Sequence, residues 1–459
     1  VLLPVLLLLA GRSLLPSVEE EGAAGRAVSG LLAGMVFLGL LLTAFTWCGI
    51  PWHPAGLLLG PWLAVLLVRR LAAGRPAGAA PVELSRWPSD FGWGDVAGLA
   101  GLLGFALLAP TLWITTPDFV YHWGLKGARF FHSRGIDFEF LARSWSSVIH
   151  PDYPHLLPSL YAATALLAGR FHAPSLMLWS ALFLALTLAG AREVWRSTGV
   201  DRFTQQAAFA FLGLALAAYA TGYVLAGGAD LMIALALVAA LPPLLGLVGN
   251  GPGAGLRLGV AAAFAAGAKI EGVPLAAFLV GAFLVRSWIR GDGSSGWRKR
   301  WQVAAAAVLP PLLVILPWLA GVRRHGLFQS TNSGPFDWER ARELLPAMAE
   351  TASAPELHGL AWLVLLLPLL LLWPGPGGRR VRPFALAGTA QLLFYLWVYF
   401  ASALPPRYYV LSSFARLLFH LLPATVVAVI VAAAGEPRAI RSAAGTSVET
   451  PRGGVSGTA

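Results

Sequence analysis

The chain has 459 residues, 57% of them hydrophobic and 12% charged, with a mean hydropathy of +0.69 and a formal net charge of +11. Soluble domains carry about 25% charged residues, so this composition excludes a water-soluble globule and points to lipid. The positive balance does not read as nucleic-acid binding, because Lys and Arg fall between apolar runs rather than along one wet face. The lone cysteine, Cys48, excludes an intramolecular disulfide framework.

Crossing about 30 Å of hydrocarbon takes roughly 20 apolar residues, and fewer where a helix is packed in protein. Taken in chain order, the candidate spans are 1–11, 31–50, 55–68, 95–113, 174–191, 205–225, 229–247, 257–268, 272–286, 303–320, 357–373, 384–402 and 413–434. They predict an all-α, polytopic transmembrane helical bundle of about 11–13 spans. The opening VLLPVLLLLA has no basic n-region and no A-x-A-like cleavage site, and reads as a span, whole or cut short, rather than a signal peptide. Segment 154–169, bracketed by Pro154, Pro158 and Arg170, reads as a helix at or dipping into the interface, because counting it as a span breaks the charge alternation that follows.

Alternation of the spans places the loops with Arg69, Arg70 and Arg75, with Arg192, Arg196 and Arg202, with Arg298, Lys299 and Arg300, and with Arg379, Arg380 and Arg382 on one side. Nearly all of the +11 surplus then falls on that side, which the positive-inside rule makes cytoplasmic. Two long polar segments, about 114–173 and 321–356, fall outside, and long loops in compact proteins are more often functional than decorative. The organisation expected is N-terminal spans and a cytoplasmic linker over 1–94, a membrane module over 95–434, and a disordered cytoplasmic tail over 435–459, rich in Gly, Ser, Thr and Pro.

The first outer loop opens with TTPDFVYHWGLKGARF, residues 115–130. Thr116 as cap, Pro117 at the first position and Asp118 in the first turn predict a helix start. Helical spacing puts Asp118, His122, Lys126 (or Leu125) and Arg129 on one stripe. Two readings stand. In one, Asp118 starts a helix and the cations meet lipid headgroups; in the other, Asp118 is a general base and Lys126 and Arg129 hold a phosphate leaving group.

A second group, HPDYPHLLP at 150–158, sets His150, Asp152, Tyr153 and His155 at the membrane surface, either as turn chemistry or as cavity lining. Its spacing matches no standard metal-ligand pattern, so no metal ligands are assigned; a divalent metal is the less favoured possibility. Asp230 opens an outer-side apolar helix, and Lys269 and Glu271 interrupt a hydrophobic stretch. Intramembrane charges are costly, so these three either neutralise one another or line a cavity. Arg407 and Arg416, in PPRYYVLSSFARLLFHLLP at 405–423, either snorkel to headgroups or grip an anionic group.

These pieces resemble the C-type polytopic glycosyltransferases, the superfamily that includes protein O-mannosyltransferases and aminoarabinose transferases. The resemblance covers about 95–434 and rests on Asp118 in TPDFVYHWGLK, PDYPHLLP at 151–158, Asp230 in GADLMIAL, K-x-E-G from Lys269 to Gly272, and RLLxHLLP from Arg416 to Pro423. The chain departs from the family pattern in having no acid two residues from Asp118, which speaks against a metal-chelating D-x-D. The resemblance implies an inverting transfer from a polyprenyl-phosphate sugar, with Asp118 as base, to a glycan, lipid or protein acceptor at the extracytoplasmic face of a bacterial inner membrane. A lipid or polysaccharide transporter or flippase, and a lipid-linked glycan polymerase or ligase, are the rival expectations. No Gly-rich phosphate loop follows a strand, so no nucleotide or other cofactor is expected.

Overall fold

The computed structural model describes residues 2–16, 21–60, 91–143, 149–222, 226–289, 296–328, 334–353 and 360–435, and every regular element among them is helical. The expected span 55–68 beyond residue 60, the arginines Arg69, Arg70 and Arg75, and the tail after residue 435 lie outside the described residues. The N-terminal helices are α1 (Leu2–Leu14) and α2 (Ala23–Trp47), followed by α3 (Trp93–Leu108), which tightens into a 3₁₀ stretch over Ala109–Ile114. The outer loop contributes α4 (Gly124–Ser133) and α5 (Leu156–Ala168). The middle of the chain supplies α6 (Leu178–Ser197), α7 (Arg202–Gly222), α8 (Asp230–Leu245), α9 (Pro252–Ala268), α10 (Gly272–Ile289) and α11 (Trp297–Arg324). Last come α12 (Ala341–Ala352), α13 (Leu366–Leu372), α14 (Gly375–Phe400) and α15 (Pro406–Ala434).

Eight of the described helices are long and apolar enough to cross a membrane: α2, α3 with its continuation, α6 with the turn before it, α7, α10, α11, α14 and α15. The chain is a multi-pass membrane protein. Several helices outrun the apolar windows read from sequence. α11 begins at Trp297 rather than about 303, and α14 at Gly375 rather than about 384, because Arg and Lys side chains reach to the headgroup level and let the backbone stay helical beyond the hydrocarbon. Prolines 310, 311 and 317 are carried inside α11, as membrane helices tolerate where neighbouring groups satisfy the freed carbonyls.

α8 is the hub. It is apolar on every side, and Asp230 through Val238 are each at most 1% exposed, the expected fate of such a helix. α6, α9 and α15 pack around it. Its first residue defines one end of the bundle, here the mouth, and its last turn defines the base. At the base, Arg286 of α10 donates to the Pro243 carbonyl (3.0 Å), Arg380 of α14 approaches the Leu245 carbonyl (3.5 Å), and Arg192 of α6 pairs with Asp95 of α3 (2.6 Å). Arg192 and Arg380, from two of the basic segments grouped by sequence alternation, thus share the end opposite Asp118.

Segment 154–169 is a 13-residue helix, α5, about 20 Å long and too short to span. It does not lie open at an interface. Ten of its residues are buried between α4 above and the bundle below, and Tyr161 donates to the Gly227 carbonyl at 3.0 Å.

Candidate functional site

Three local devices deliver charged side chains to the mouth. The first is the passage from α3 to α4. The expected Thr116 cap is not formed: the Thr116 hydroxyl donates back to the Leu112 carbonyl at 2.7 Å, the usual choice of Thr where the chain is already helical. Asp118–Trp123 then makes a wide π-helical turn, and the extra residue in that turn rotates everything after it. The stripe read from α-helical spacing is therefore broken up: Asp118 turns to the bundle, Lys126 turns inward, and Arg129 turns to Asp137.

The second device is the turn before α8. Gly227 has φ +77°, and a Cβ there would meet the Phe119 side chain at 2.9 Å, so only glycine brings the chain past Phe119 to start α8 beside Asp118. Ser180 accepts the Gly227 N–H at 2.7 Å and fixes the turn. The third is the break at Lys269–Glu271. Lys269 is extended (φ −155°, ψ 156°), which ends α9 and reverses the chain into α10. Gly272 has no Cβ to collide with the Ala265 carbonyl, so the two helices touch at the hairpin.

Arg416, ten residues into α15, stands between two carboxylates. Its guanidinium donates to Asp118 through both terminal nitrogens, one of them at 3.1 Å, and to Asp230 Oδ2 at 2.6 Å. Asp230 Oδ1 accepts from Lys269 Nζ at 3.1 Å and from His420 Nε2 at 2.7 Å. Because a carboxylate only accepts, His420 Nε2 carries the hydrogen here, which leaves Nδ1 to accept from the Tyr395 hydroxyl at 2.8 Å. Lys269 Nζ also lies 3.5 Å from Glu271 Oε1. Three carboxylates thus share two permanent cations. Burial pushes the Asp118 carboxyl upward, but the Arg416 guanidinium more than offsets this and holds it below its ordinary value.

Of the candidates named from sequence, Asp118, Asp230, Lys269, Glu271 and Arg416 are brought together. Lys126 is buried beside the cluster rather than in it. Its ammonium donates to the His150 carbonyl at 2.6 Å and sits 5.3 Å from the Trp123 ring and 5.9 Å from the Tyr153 ring. Burial pushes Lys126 down to about 7, with the Asp152 charge pulling the other way. His122 packs on His150 at 4.8 Å between ring centroids, and burial takes it to about 4 despite the Asp118 charge. Tyr153 stacks on His150 and Trp123.

The remaining candidates are placed elsewhere. Arg129 is paired with Asp137 at 2.6 Å, and Arg407 with Glu350 at 3.1 Å in an exposed position. The Asp152 carbonyl accepts from Trp318 at 3.0 Å. His155 is a satisfied core histidine, 2.9 Å from both Thr43 and Ser159. Two members of the network, His420 and Tyr395, were not picked out from sequence. The signal for His420 was available, since it follows Arg416 by four residues and so shares its helix face. Tyr395 had no such signal, because it sits on a different helix.

The arrangement can hold an anion at Arg416 and accept a proton at a carboxylate. Arg416 Nε and Glu271 Oε2 are both buried without a hydrogen-bond partner, one a donor and the other an acceptor. Compared with known proteins, the chain matches no family model, no curated protein and no solved structure.

Proposed function

We propose that the protein is an inverting glycosyltransferase that moves a sugar from a polyprenyl-phosphate donor to a glycan, lipid or protein acceptor, at the extracytoplasmic face of a bacterial plasma membrane. The observation that carries this reading is Arg416 held between Asp118 and Asp230 at the mouth of the bundle. A lipid-linked donor keeps its chain in hydrocarbon and presents its phosphodiester at that level. A guanidinium is the natural bidentate partner of such a group. When the phosphate arrives, Arg416 turns part of its donor set from Asp118 to the phosphate oxygens and stabilises the charge that grows on the leaving group. A carboxylate of the cluster takes the proton of the acceptor; Asp118 is the choice the sequence pattern makes.

One observation favours a second reading. The hydrogen-bonded series Asp118, Arg416, Asp230, His420 and Tyr395 runs inward from the mouth, as an ion-coupled lipid transporter or flippase would require. Purified protein in liposomes of native membrane lipid extract, which supplies the acceptor, with a polyprenyl-phosphate sugar separates the two, since a transferase passes the sugar to the acceptor and releases polyprenyl phosphate and a transporter only moves its lipid. The transferase reading expects D118N to lower that release by about 100-fold or more at unchanged expression. Full turnover by D118N removes Asp118 from the reaction.

A further inference from the structure

The three acids at the mouth are not equivalent. Both oxygens of Asp118 are occupied by Arg416. Asp230 is fully buried, with Oδ2 on Arg416 and Oδ1 shared by Lys269 and His420. A carboxylate so engaged holds cations in place, and taking a proton would cost it those bonds. Glu271 differs. One oxygen stands at 3.5 Å from Lys269, a loose contact, and the other is buried with no partner, while the side chain as a whole keeps 18% exposure.

What surrounds Glu271 is equally distinctive. Gln391 of α14, 0% exposed, donates its amide N–H to the Glu271 carbonyl at 3.1 Å, and its amide oxygen has no partner. Two orphan acceptors therefore lie at the hairpin tip, and together they ask for a ligand rich in hydrogen-bond donors. Phenols gather at the same end of the bundle: Tyr153 lies on His150, Tyr395 reaches His420 beside Asp230, and Tyr399 bonds Ser413. Tyr153 comes from the outer loop, and Tyr399 and Tyr409, with ring centroids 4.7 Å apart, come from the mouth ends of α14 and α15. Phenol rings and acceptor oxygens at one end of the bundle suit the alternating apolar faces and hydroxyl edges of a sugar.

We infer that the hairpin tip is the acceptor subsite, that the acceptor is a polyhydroxylated group such as a glycan residue, and that Glu271 rather than Asp118 is the general base. The inference rests on the transferase reading. The acceptor hydroxyl donates to Glu271 Oε2, and a neighbouring hydroxyl donates to the Gln391 amide oxygen. As the acceptor oxygen bonds to the anomeric carbon, its proton passes to Glu271 Oε2. The bond from the anomeric carbon to the phosphate oxygen breaks, and the electron pair leaves on the polyprenyl phosphate beside Arg416. Asp118 is then a positioning residue, holding the guanidinium where the donor phosphate will meet it.

The test uses full-length protein in nanodiscs of native membrane lipid extract, which supplies the acceptor, with a panel of polyprenyl-phosphate sugars. E271Q is expected to lower kcat by about 10²–10⁴-fold, to keep donor binding within about twofold, and to lose the acid limb of the pH–rate profile, with E271D recovering part of the rate. D118N is expected to keep that acid limb and to raise the KM for donor. Wild-type turnover by E271Q, or loss of the acid limb in D118N instead of E271Q, overturns the assignment while leaving the transferase reading intact. Absence of transfer by the wild-type protein overturns both.

Discussion

The bundle buries ionic groups at both ends, and the two ends are built on different accounts. At the base, each buried acid has one cation of its own. Asp95, 1% exposed, lies 2.6 Å from Arg192 and also accepts from Gln206 at 2.7 Å and from the Gly92 N–H at 2.9 Å. Glu21 pairs with Arg257 at 2.6 Å across 236 positions of sequence, and Arg257 uses a further donor on the Pro16 carbonyl at 2.9 Å. Each of these clusters ties distant helices together and leaves no net charge. At the mouth, three acids share two permanent cations, and a donor on Arg416 and acceptors on Glu271 and Gln391 stand without partners. A buried ion network with unpartnered members costs stability.

Damage at the two ends should therefore have different consequences. R416M leaves Asp118 and Asp230 without their shared cation and is expected to lower polyprenyl-phosphate release by about 10³-fold or more, read in the liposome assay. R257M strands Glu21 and is expected to cost about 3–5 kcal/mol, seen as a drop in melting temperature in detergent, while turnover per folded molecule stays at the wild-type level. Lost turnover in folded R257M would erase the distinction between the ends.

A smaller effect is expected from Y395F, which removes the hydroxyl on His420 Nδ1. A neutral hydrogen bond contributes about 0.5–1.5 kcal/mol, so turnover should fall by about tenfold or less, with donor KM unchanged. A loss as large as that of R416M would make Tyr395 part of the chemistry rather than a support for it.

A separate effect is one of pH. Lys126 binds its proton up to about 7 in the folded protein, against 10.5 for an ordinary lysine. Between those values the unfolded chain holds one proton more, so stability rises with pH across that interval. The melting temperature of the wild type should therefore gain on that of K126M as pH is raised from 7 toward 10. Parallel curves for the two proteins would mean that Lys126 is solvated.

Much of the fold was legible because hydrocarbon imposes a simple rule on sequence: every crossing needs a long apolar run, and every turn between crossings shows as charge, Gly or Pro. The runs from 31, 95, 205, 303, 384 and 413 all begin on helices, although each begins later than its helix does, and at α11 and α14 this is because arginines carry the helix into the headgroup level. The site was legible in part. Asp230, Lys269 and Glu271 stood out because charge at membrane depth is expensive, Asp118 because it opens a helix in the long outer loop, and Arg416 because it stands in the stretch that leads into the last helix. Arg129, on the stripe drawn from Asp118, and Arg407, in the stretch before the last helix, drew attention too, yet they found other carboxylates, Asp137 and Glu350, that periodicity gave no cause to prefer.

The amino-acid sequence by itself determined that this chain lives in a bilayer, roughly where it crosses, and which ionisable groups sit at costly depths, because burial in lipid is a property of each segment on its own. The tertiary structure alone decided which of those groups meet. Arg416 reaches Asp118 across 298 positions and Asp230 across 186, a π-helical turn redirects Asp118, and one left-handed glycine admits α8 beside it. Such pairings depend on how helices pack, and helix packing is set by side chains far apart in the chain, so no local pattern encodes them.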